Sequence, residues 1–128
     1  MSTLSPAVVM DVGANLGDWS EAVLRAIPSA TVTSFEPIPD VAARCADRLA
    51  IFGERSQVVA VGLADAIGDR TFFIDPSRPT VSGLSRPTGG RPIQQPMLPF
   101  TTGDSFCSDA GIDSIDLLKV DAEGADHL

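Results

Sequence analysis

The sequence predicts a Rossmann-like α/β domain, in which helices cover both faces of a mostly parallel, doubly wound sheet. Three observations carry this prediction. Apolar runs alternate with stretches of helical periodicity, a turn containing glycine joins the first run to the first helix, and an acidic residue ends the second run. The 128 residues are expected to form a single domain, because domains typically contain about 100 to 150 residues.

The first strand and the first helix are the clearest elements. Residues 7–12 form an apolar run that ends at Gly13, which is typical of a strand buried on both faces of a parallel sheet. A helix is predicted over about 17–27, because acidic residues occupy its first turn, a basic residue lies near its end and Pro28 stops it. The order is therefore strand, glycine turn, helix.

The same unit then repeats. Residues 31–36 form a second predicted strand, and the apolar positions that follow recur at helical spacing until Gly53, a predicted C-terminal cap. A third strand is predicted over 57–61, and an additional strand over 70–74 after a turn around Gly68. Strands that alternate with helices in this way indicate right-handed crossover connections and a parallel sheet.

Residues 75–99 interrupt the pattern. They contain six of the ten prolines and three glycines, so we predict a long loop without regular structure. The loop carries three arginines and one acidic residue, and we favour a flexible linker over a lid that meets an anionic substrate. A short helix is predicted over 104–110, and a further buried strand over 114–120.

The composition excludes several classes of function. Nine basic and 17 acidic residues give a net charge of −8, the wrong sign for a protein whose affinity depends on phosphate contacts. The apolar runs are too short to span a bilayer. Cys45 and Cys107 have neither the spacing of a metal site nor that of a disulfide framework. The N-terminus lacks the pattern of a signal peptide, so we expect a cytoplasmic protein without nucleic acid as a partner.

The turn at residues 11–17, DVGANLG, is the first candidate binding site. Glycines let the backbone approach a ligand, and the N–H groups at a helix N-terminus are expected to point outward. A dinucleotide fingerprint needs glycine where Asn15 stands, and Asp11 and Asp18 would repel a pyrophosphate. The same two carboxylates suit S-adenosylmethionine, which carries an ammonium, a sulfonium and no phosphate.

Glu36 is the second candidate. It ends the second predicted strand 23 positions after Gly13, where an acidic side chain can accept hydrogen bonds from both ribose hydroxyls. Nicotinamide cofactors and S-adenosylmethionine both contain that ribose. Glu36 therefore indicates nucleoside binding without distinguishing a nicotinamide oxidoreductase from a methyltransferase.

In order and spacing, four segments resemble the FkbM-type S-adenosylmethionine-dependent methyltransferases, and the resemblance covers nearly the whole chain. The most specific segment is IDLLKVDAEG at 115–124, and the others are DVGANLG at 11–17, FEP at 35–37 and GLAD at 62–65. The resemblance implies a class I methyltransferase fold with seven strands. It also implies transfer of a methyl group to a hydroxyl oxygen of a small molecule: a saccharide, a lipid or a secondary metabolite.

The resemblance further implies roles for individual residues. Glu36 would hold the ribose, and Asp121 would end a central strand beside the reacting methyl group, with Glu123 close by. One departure is Gly62, which stands where the family pattern has asparagine. The residues that would contact the methionine portion or the adenine are Asp11, Gly13, Asn15, Gly17, Gly62 and Leu63.

We predict that Asp121 is both the catalytic base and a cofactor contact, since a carboxylate at the C-terminal end of a central strand lies where open α/β sheets bind ligands. The alternatives are a metal ligand together with Glu123, a contact to the cofactor's ammonium, or a helix cap. Lys119 needs an ionic partner within a buried strand, and Asp121 and Glu123 are the candidates. His127 is expected to have no role.

The strand over 114–120 is followed by only eight residues, so the chain is expected to be the front part of a larger domain whose C-terminal strands are missing. The alternative to an active enzyme is an inert remnant that binds the cofactor weakly or serves as an interaction module. The last strand is then expected to form an uncovered edge and to promote self-association.

Overall fold

The computed structural model describes residues 7–77, 83–84 and 92–120, and this part of the chain contains two sheets and three α-helices. A short 3-10 segment, Ala50–Arg55, follows the second helix. The helices are α1 (Asp18–Ala26), α2 (Pro39–Leu49) and α3 (Gly103–Ala110). The strands are β1 (Val8–Val12), β2 (Thr31–Phe35), β3 (Ser56–Val59), β4 (Gly62–Leu63), β5 (Gly68–Thr71), β6 (Met97–Thr101) and β7 (Leu117–Val120).

The main sheet has four parallel strands in the order β3-β2-β1-β7. Helices α1 and α2 pack on one face, where apolar side chains such as Leu24 and Leu49 meet Val9 of β1. Helix α3 packs on the other face, where Phe106 contacts the Phe35 ring edge to face at 4.8 Å between ring centroids. The predicted α/β class with a mostly parallel, doubly wound sheet is therefore confirmed.

Charged side chains fix the first two helices against each other and against the sheet. Arg48 of α2 donates to Glu21 of α1 at 2.7 Å and also pairs with Asp18 in the first turn of α1. Arg55 donates to the carbonyl oxygens of Leu24 at 2.7 Å and Ile27 at 2.8 Å, which α1 leaves without intrahelical partners at its C-terminus. These contacts position the N-terminus of α1, where the glycine turn ends.

The second sheet was not predicted from the sequence. It has three strands in the order β4-β6-β5, with β4 parallel and β5 antiparallel to β6. The additional strand predicted over 70–74 overlaps β5 (Gly68–Thr71) only at residues 70 and 71. The bends that precede β5 lie at 65–67, slightly before the turn predicted around Gly68. Phe72 and Phe100 lie in the apolar core of this sheet together with residues from the start of α2.

The predicted loop over 75–99 is wrong at its C-terminal end, because β6 begins at Met97 and includes Pro99. Within a sheet, proline is normally confined to positions where one side of the strand has no hydrogen-bonded neighbour. Here β4 pairs only with the last two residues of β6, Phe100 and Thr101, so Pro99 has β5 as its one neighbour. The part of the loop over 78–82 and 85–91 lies outside the described residues.

Strand β7 is less buried than the sequence predicted. It is the outermost strand of the main sheet beyond β1 within the described residues, and Leu117 and Leu118 are 42% and 53% exposed. The expected uncovered edge is thus observed in this part of the chain. Among the described helices, none is both long and apolar enough to cross a membrane.

Candidate functional site

The C-terminal ends of the parallel strands meet at one edge of the main sheet. Val12 of β1 is in register with Phe35 of β2 and with Val120 of β7. The residues that follow β1 and β2, Gly13 and Glu36, therefore come together at this edge. Open α/β sheets bind their ligands outside the carboxyl ends of the strands, so this is the candidate site.

The glycine turn folds back onto β2. The Gly13 and Ala14 amides both donate to the carbonyl oxygen of Phe35, at 2.9 and 3.0 Å. Gly13, Asn15 and Gly17 have φ angles of 78°, 54° and 91°, a region that glycine and asparagine adopt most readily. The expectation that the amides of this turn point outward is wrong for the four that donate within the protein, namely those of Gly13, Ala14, Asn15 and Gly17.

Gly17 also allows α1 and α2 to approach closely. A Cβ atom at this position would lie 3.0 Å from the Sγ atom of Cys45 and 3.4 Å from the Leu49 side chain. Burial raises the pKa of the Cys45 thiol to about 11, so this thiol is protonated and packs as a small apolar group. The second glycine of the turn thus has a packing reason in addition to its backbone conformation.

Glu36 is joined to the turn by a hydrogen bond. Its Oε1 atom accepts from the Asn15 amide at 2.9 Å, and its Oε2 atom accepts from the Ile38 amide at 3.1 Å. The residue is only 3% exposed. Burial raises the pKa of the Glu36 carboxyl above its usual range, against the lowering effect of the two backbone hydrogen bonds.

Asp11, a predicted cofactor contact, is buried and is bound by side chains of the protein itself. It is fully buried, its Oδ2 atom accepts from the Ser20 hydroxyl at 2.7 Å, and Ser20 is 2.8 Å from the Ser34 hydroxyl. Its Oδ1 atom lies 3.2 Å from the Lys119 ammonium. A buried carboxylate requires such partners, and the protein itself supplies them.

Lys119 has a partner that the sequence did not indicate. The expected partners, Asp121 and Glu123, lie outside the described residues, whereas Asp11 is directly opposite Lys119 in the pairing of β1 with β7. The Lys119 ammonium also lies 5.7 Å from the centroid of the Trp19 ring. Neither the order of the strands nor this cross-strand pair has a local signal in the sequence.

Two cavities are lined in part by residues from this edge of the sheet. The smaller, of about 330 Å³, lies at the glycine turn and places Lys119 beside the start of α1. Its lining residues are Gly13, Ala14, Asn15, Leu16, Asp18, Trp19 and Lys119. Two predicted site residues, Gly13 and Asn15, thus line it, whereas Gly17 and Glu36 adjoin it without forming its wall.

The larger cavity, of about 480 Å³, lies on the α3 side of the sheet. Leu63 lines it, but Gly62 does not, and a Cβ atom at Gly62 would lie only 2.1 Å from the Phe100 ring. The lining residues are Met10, Val12, Leu63, Ala64, Asp65, Thr102, Gly103, Asp104, Cys107, Ile115, Leu118 and Val120. Of the described residues predicted to contact the cofactor, Gly13 and Asn15 thus line the smaller cavity and Leu63 lines the larger. The others line neither cavity: Asp11, Gly17, Glu36 and Gly62.

The predicted catalytic residue, Asp121, lies outside the described residues, directly after β7 in the sequence. Within the described ranges, no group of three or more histidine, cysteine or acidic side chains is arranged to hold a metal ion.

Comparison with known proteins identifies the family. The family model described as the methyltransferase FkbM domain matches residues 11–128. The 2-O-methyltransferase NoeI of Sinorhizobium fredii is 29% identical over 132 residues, which cover 93% of this chain and 54% of NoeI. The AMB antimetabolite synthetase AmbE of Pseudomonas aeruginosa is 37% identical over 79 residues, or 62% of this chain and 4% of AmbE.

The chain thus spans about half the length of NoeI and a small part of AmbE. No solved structure gives a significant match. The parallel sheet with helices on both faces is that of a Rossmann-like methyltransferase fold, which confirms the fold implied by the resemblance. With nearly its whole length matched by the family model, the chain belongs to the FkbM methyltransferase family.

Proposed function

We propose that the chain binds S-adenosylmethionine and forms the cofactor-binding part of an enzyme that methylates a hydroxyl group. The acceptor class that we propose is a saccharide, a lipid or a secondary metabolite. Membership of the FkbM family supports methyl transfer, and the 2-O-methyltransferase name of NoeI supports oxygen as the acceptor atom.

The observation that carries the proposal is the hydrogen bond between the Asn15 amide and Glu36 Oε1 beside the smaller cavity. It holds the acidic residue of β2 against the turn that follows β1, which is the arrangement a nucleoside ribose requires. Each carboxylate oxygen has two lone pairs, so Glu36 can accept from ribose hydroxyls while it keeps its backbone partners. The cavity volume of about 330 Å³ lies within the usual range for small-molecule sites.

The glycine turn favours this cofactor over a dinucleotide. In dinucleotide-binding folds the backbone of the glycine turn approaches the pyrophosphate closely, next to the helix N-terminus. Here the Gly13 and Ala14 amides donate to Phe35, and the Asn15 amide donates to Glu36. With these donors used inside the protein, the turn suits a ligand without phosphate groups.

The larger cavity offers a position for the adenine. Leu63 presents an apolar side chain to it, and Asp65 and Asp104 supply acceptors for an amino group. We place the adenine against Leu63, with Gly62 behind it. The Phe100 ring occupies the space that a side chain at position 62 would fill.

The bound cofactor would supply a methyl group on a positively charged sulfur atom, ready for displacement by an oxygen nucleophile. The role of the chain is to orient the ribose through Glu36 and to fix the turn against β2, because alignment supplies much of the acceleration in such a displacement. Asp121, the first residue after β7, is the proposed base for the acceptor's proton.

Calorimetric titration with S-adenosylhomocysteine tests the proposal. We expect saturable binding, and we expect Glu36→Gln to weaken it at least tenfold, because hydrogen bonds to a charged acceptor are worth about 1.5–3 kcal/mol each. Glu54→Gln is the matched control, since Glu54 is exposed and precedes β3, at the opposite end of the parallel strands from Glu36.

Thermal melting of each variant confirms that it is folded. Absence of binding at millimolar S-adenosylhomocysteine would refute the proposal for this chain. Binding of NADH in its place would identify a nicotinamide enzyme.

A further inference from the structure

The ion pair between Asp11 and Lys119 lies below the smaller cavity and is not part of the function proposed above. We propose that Lys119 binds the carboxylate of the amino-acid portion of the cofactor, and that Asp11 is a positioning residue that holds the Lys119 ammonium in place. This inference rests on the proposed binding of S-adenosylmethionine. It replaces the expectation that Asp11 itself contacts the ligand.

The position of Lys119 is determined by the strand register. Asp11 and Lys119 are direct partners in the parallel pairing of β1 with β7, so both side chains lie on the α1 face of the sheet. The Asp11 carboxylate is fully buried and binds the ammonium at 3.2 Å, whereas the Lys119 side chain is 26% exposed and lines the cavity. The anionic partner is thus inside the protein, and the cation lies at the cavity wall.

The charges around the cavity favour an anion at Lys119. Among the residues that the structure describes, Asp18 is the one acidic side chain that lines the cavity, and Arg48 pairs with it on the outer surface. Lys119 is the one basic residue of this described lining. A carboxylate that enters the cavity would therefore meet a fixed ammonium in a partly buried setting, where a charge-assisted hydrogen bond is stronger than in water.

The fluorescence of Trp19 offers a direct readout of ligand binding. It is the single tryptophan of the chain, it lines the cavity, and its ring lies 5.7 Å from the Lys119 ammonium. A carboxylate that binds this ammonium changes the electrostatic field at the indole ring. We therefore expect the intrinsic fluorescence to respond to S-adenosylhomocysteine.

The decisive experiment compares two ligands. S-adenosylhomocysteine carries the amino-acid carboxylate, and methylthioadenosine retains the nucleoside and the sulfur but lacks the amino-acid portion. We expect Lys119→Met to weaken binding of S-adenosylhomocysteine about ten- to hundredfold and to change binding of methylthioadenosine less than about twofold. Lys119→Arg should retain most of the affinity, and Arg44→Met, which removes an exposed charge outside both cavities, should have no effect.

A double variant separates ligand binding from a purely structural role. Lys119→Met alone leaves the buried Asp11 carboxylate without this partner and can unfold the chain. Asp11→Asn combined with Lys119→Met removes both charges and keeps an acceptor for Ser20. If Lys119 binds the cofactor carboxylate, the double variant folds but still loses affinity for S-adenosylhomocysteine.

Restored affinity for S-adenosylhomocysteine in the double variant, or an equal loss for both ligands in a folded variant, would overturn this inference and leave the proposed function intact. Failure of the wild-type chain to bind either ligand would refute the proposed function, and this inference with it.

Discussion

Replacing Gly62 by alanine tests the departure from the family pattern at this position. The added Cβ atom would lie 2.1, 2.5 and 2.7 Å from three carbon atoms of the Phe100 ring. Ordinary van der Waals contact begins at about 3.4 Å, so the ring must retreat by about 1.3 Å. Phe100 is 5% exposed and packs against Phe72, so little space is available for that movement.

The expected cost follows from this overpacking. Inserting a methyl group into a well-packed core typically costs about 1–3 kcal/mol. For a domain of this size, each kcal/mol lowers the melting temperature by about 3–5 °C, so Gly62→Ala should melt about 3–15 °C below the wild type. Differential scanning calorimetry measures the shift, and Gly103→Ala is the control, because a Cβ atom at Gly103 meets nothing within 4 Å.

A second substitution identifies the ring as the cause. Phe100→Val removes the three ring atoms that the new Cβ would meet, so Gly62→Ala should cost less than about 0.5 kcal/mol in that background. Equal costs in both backgrounds, or a Gly62→Ala variant that melts within about 1 °C of the wild type, would refute the reasoning.

Four further predictions concern the site and the fold. Burial raises the pKa of the Glu36 carboxyl above its usual range, so the folded chain binds this proton more tightly than the unfolded chain and loses stability as the pH rises through the raised pKa. Ribose hydroxyls donate to the ionised Glu36 carboxylate and favour it, so calorimetry should show that S-adenosylhomocysteine binds more tightly as the pH rises through the same pKa. Glu36→Gln should abolish this pH dependence of binding. A thiol reagent should modify the half-buried Cys107 and not the buried Cys45, whose pKa is about 11. Adenine bound in the larger cavity should protect Cys107 from the reagent, and mass spectrometry measures both effects. Arg55→Met should lower the free energy of unfolding in urea by about 1–3 kcal/mol, because three carbonyl oxygens lose a charged donor. The edge of β7 has no neighbouring strand within the described residues and should pair with that of a second copy. Sedimentation velocity should then show concentration-dependent association that Leu118→Lys reduces.

The first strand, the glycine turn and the first helix could be predicted from the sequence because their signals are local. Gly13 and Gly17 mark the turn, acidic residues mark the start of the helix, and Pro28 follows its end. The contact between the turn and Glu36 also follows from the sequence, once β1 and β2 are taken as neighbouring parallel strands. The family resemblance supports the proposed ligand, S-adenosylmethionine, which Glu36 alone did not distinguish from a nicotinamide cofactor.

Other features depend on pairings between distant segments and have no local signal. Strand β4 has two residues, and β6 contains Pro99, so neither matches the pattern of a strand. The partner of Lys119 is Asp11, 108 positions away, because β7 lies beside β1. The candidate partners predicted from the sequence, Asp121 and Glu123, are instead neighbours on the same segment, since strand order is not encoded locally.

The proposed cofactor site draws on both sheets, so its geometry depends on how they pack. Leu63 of the second sheet belongs to the same buried cluster as Met10, Val12 and Phe35 of the main sheet. A close-packed core transmits displacement, because its side chains have few alternative positions. A shift of the Phe100 ring at β6 would therefore move β4 and the Leu63 wall of the larger cavity relative to the glycine turn. It follows that Gly62→Ala should weaken binding of S-adenosylhomocysteine as well as stability, although position 62 contributes no atom to the cavity lining.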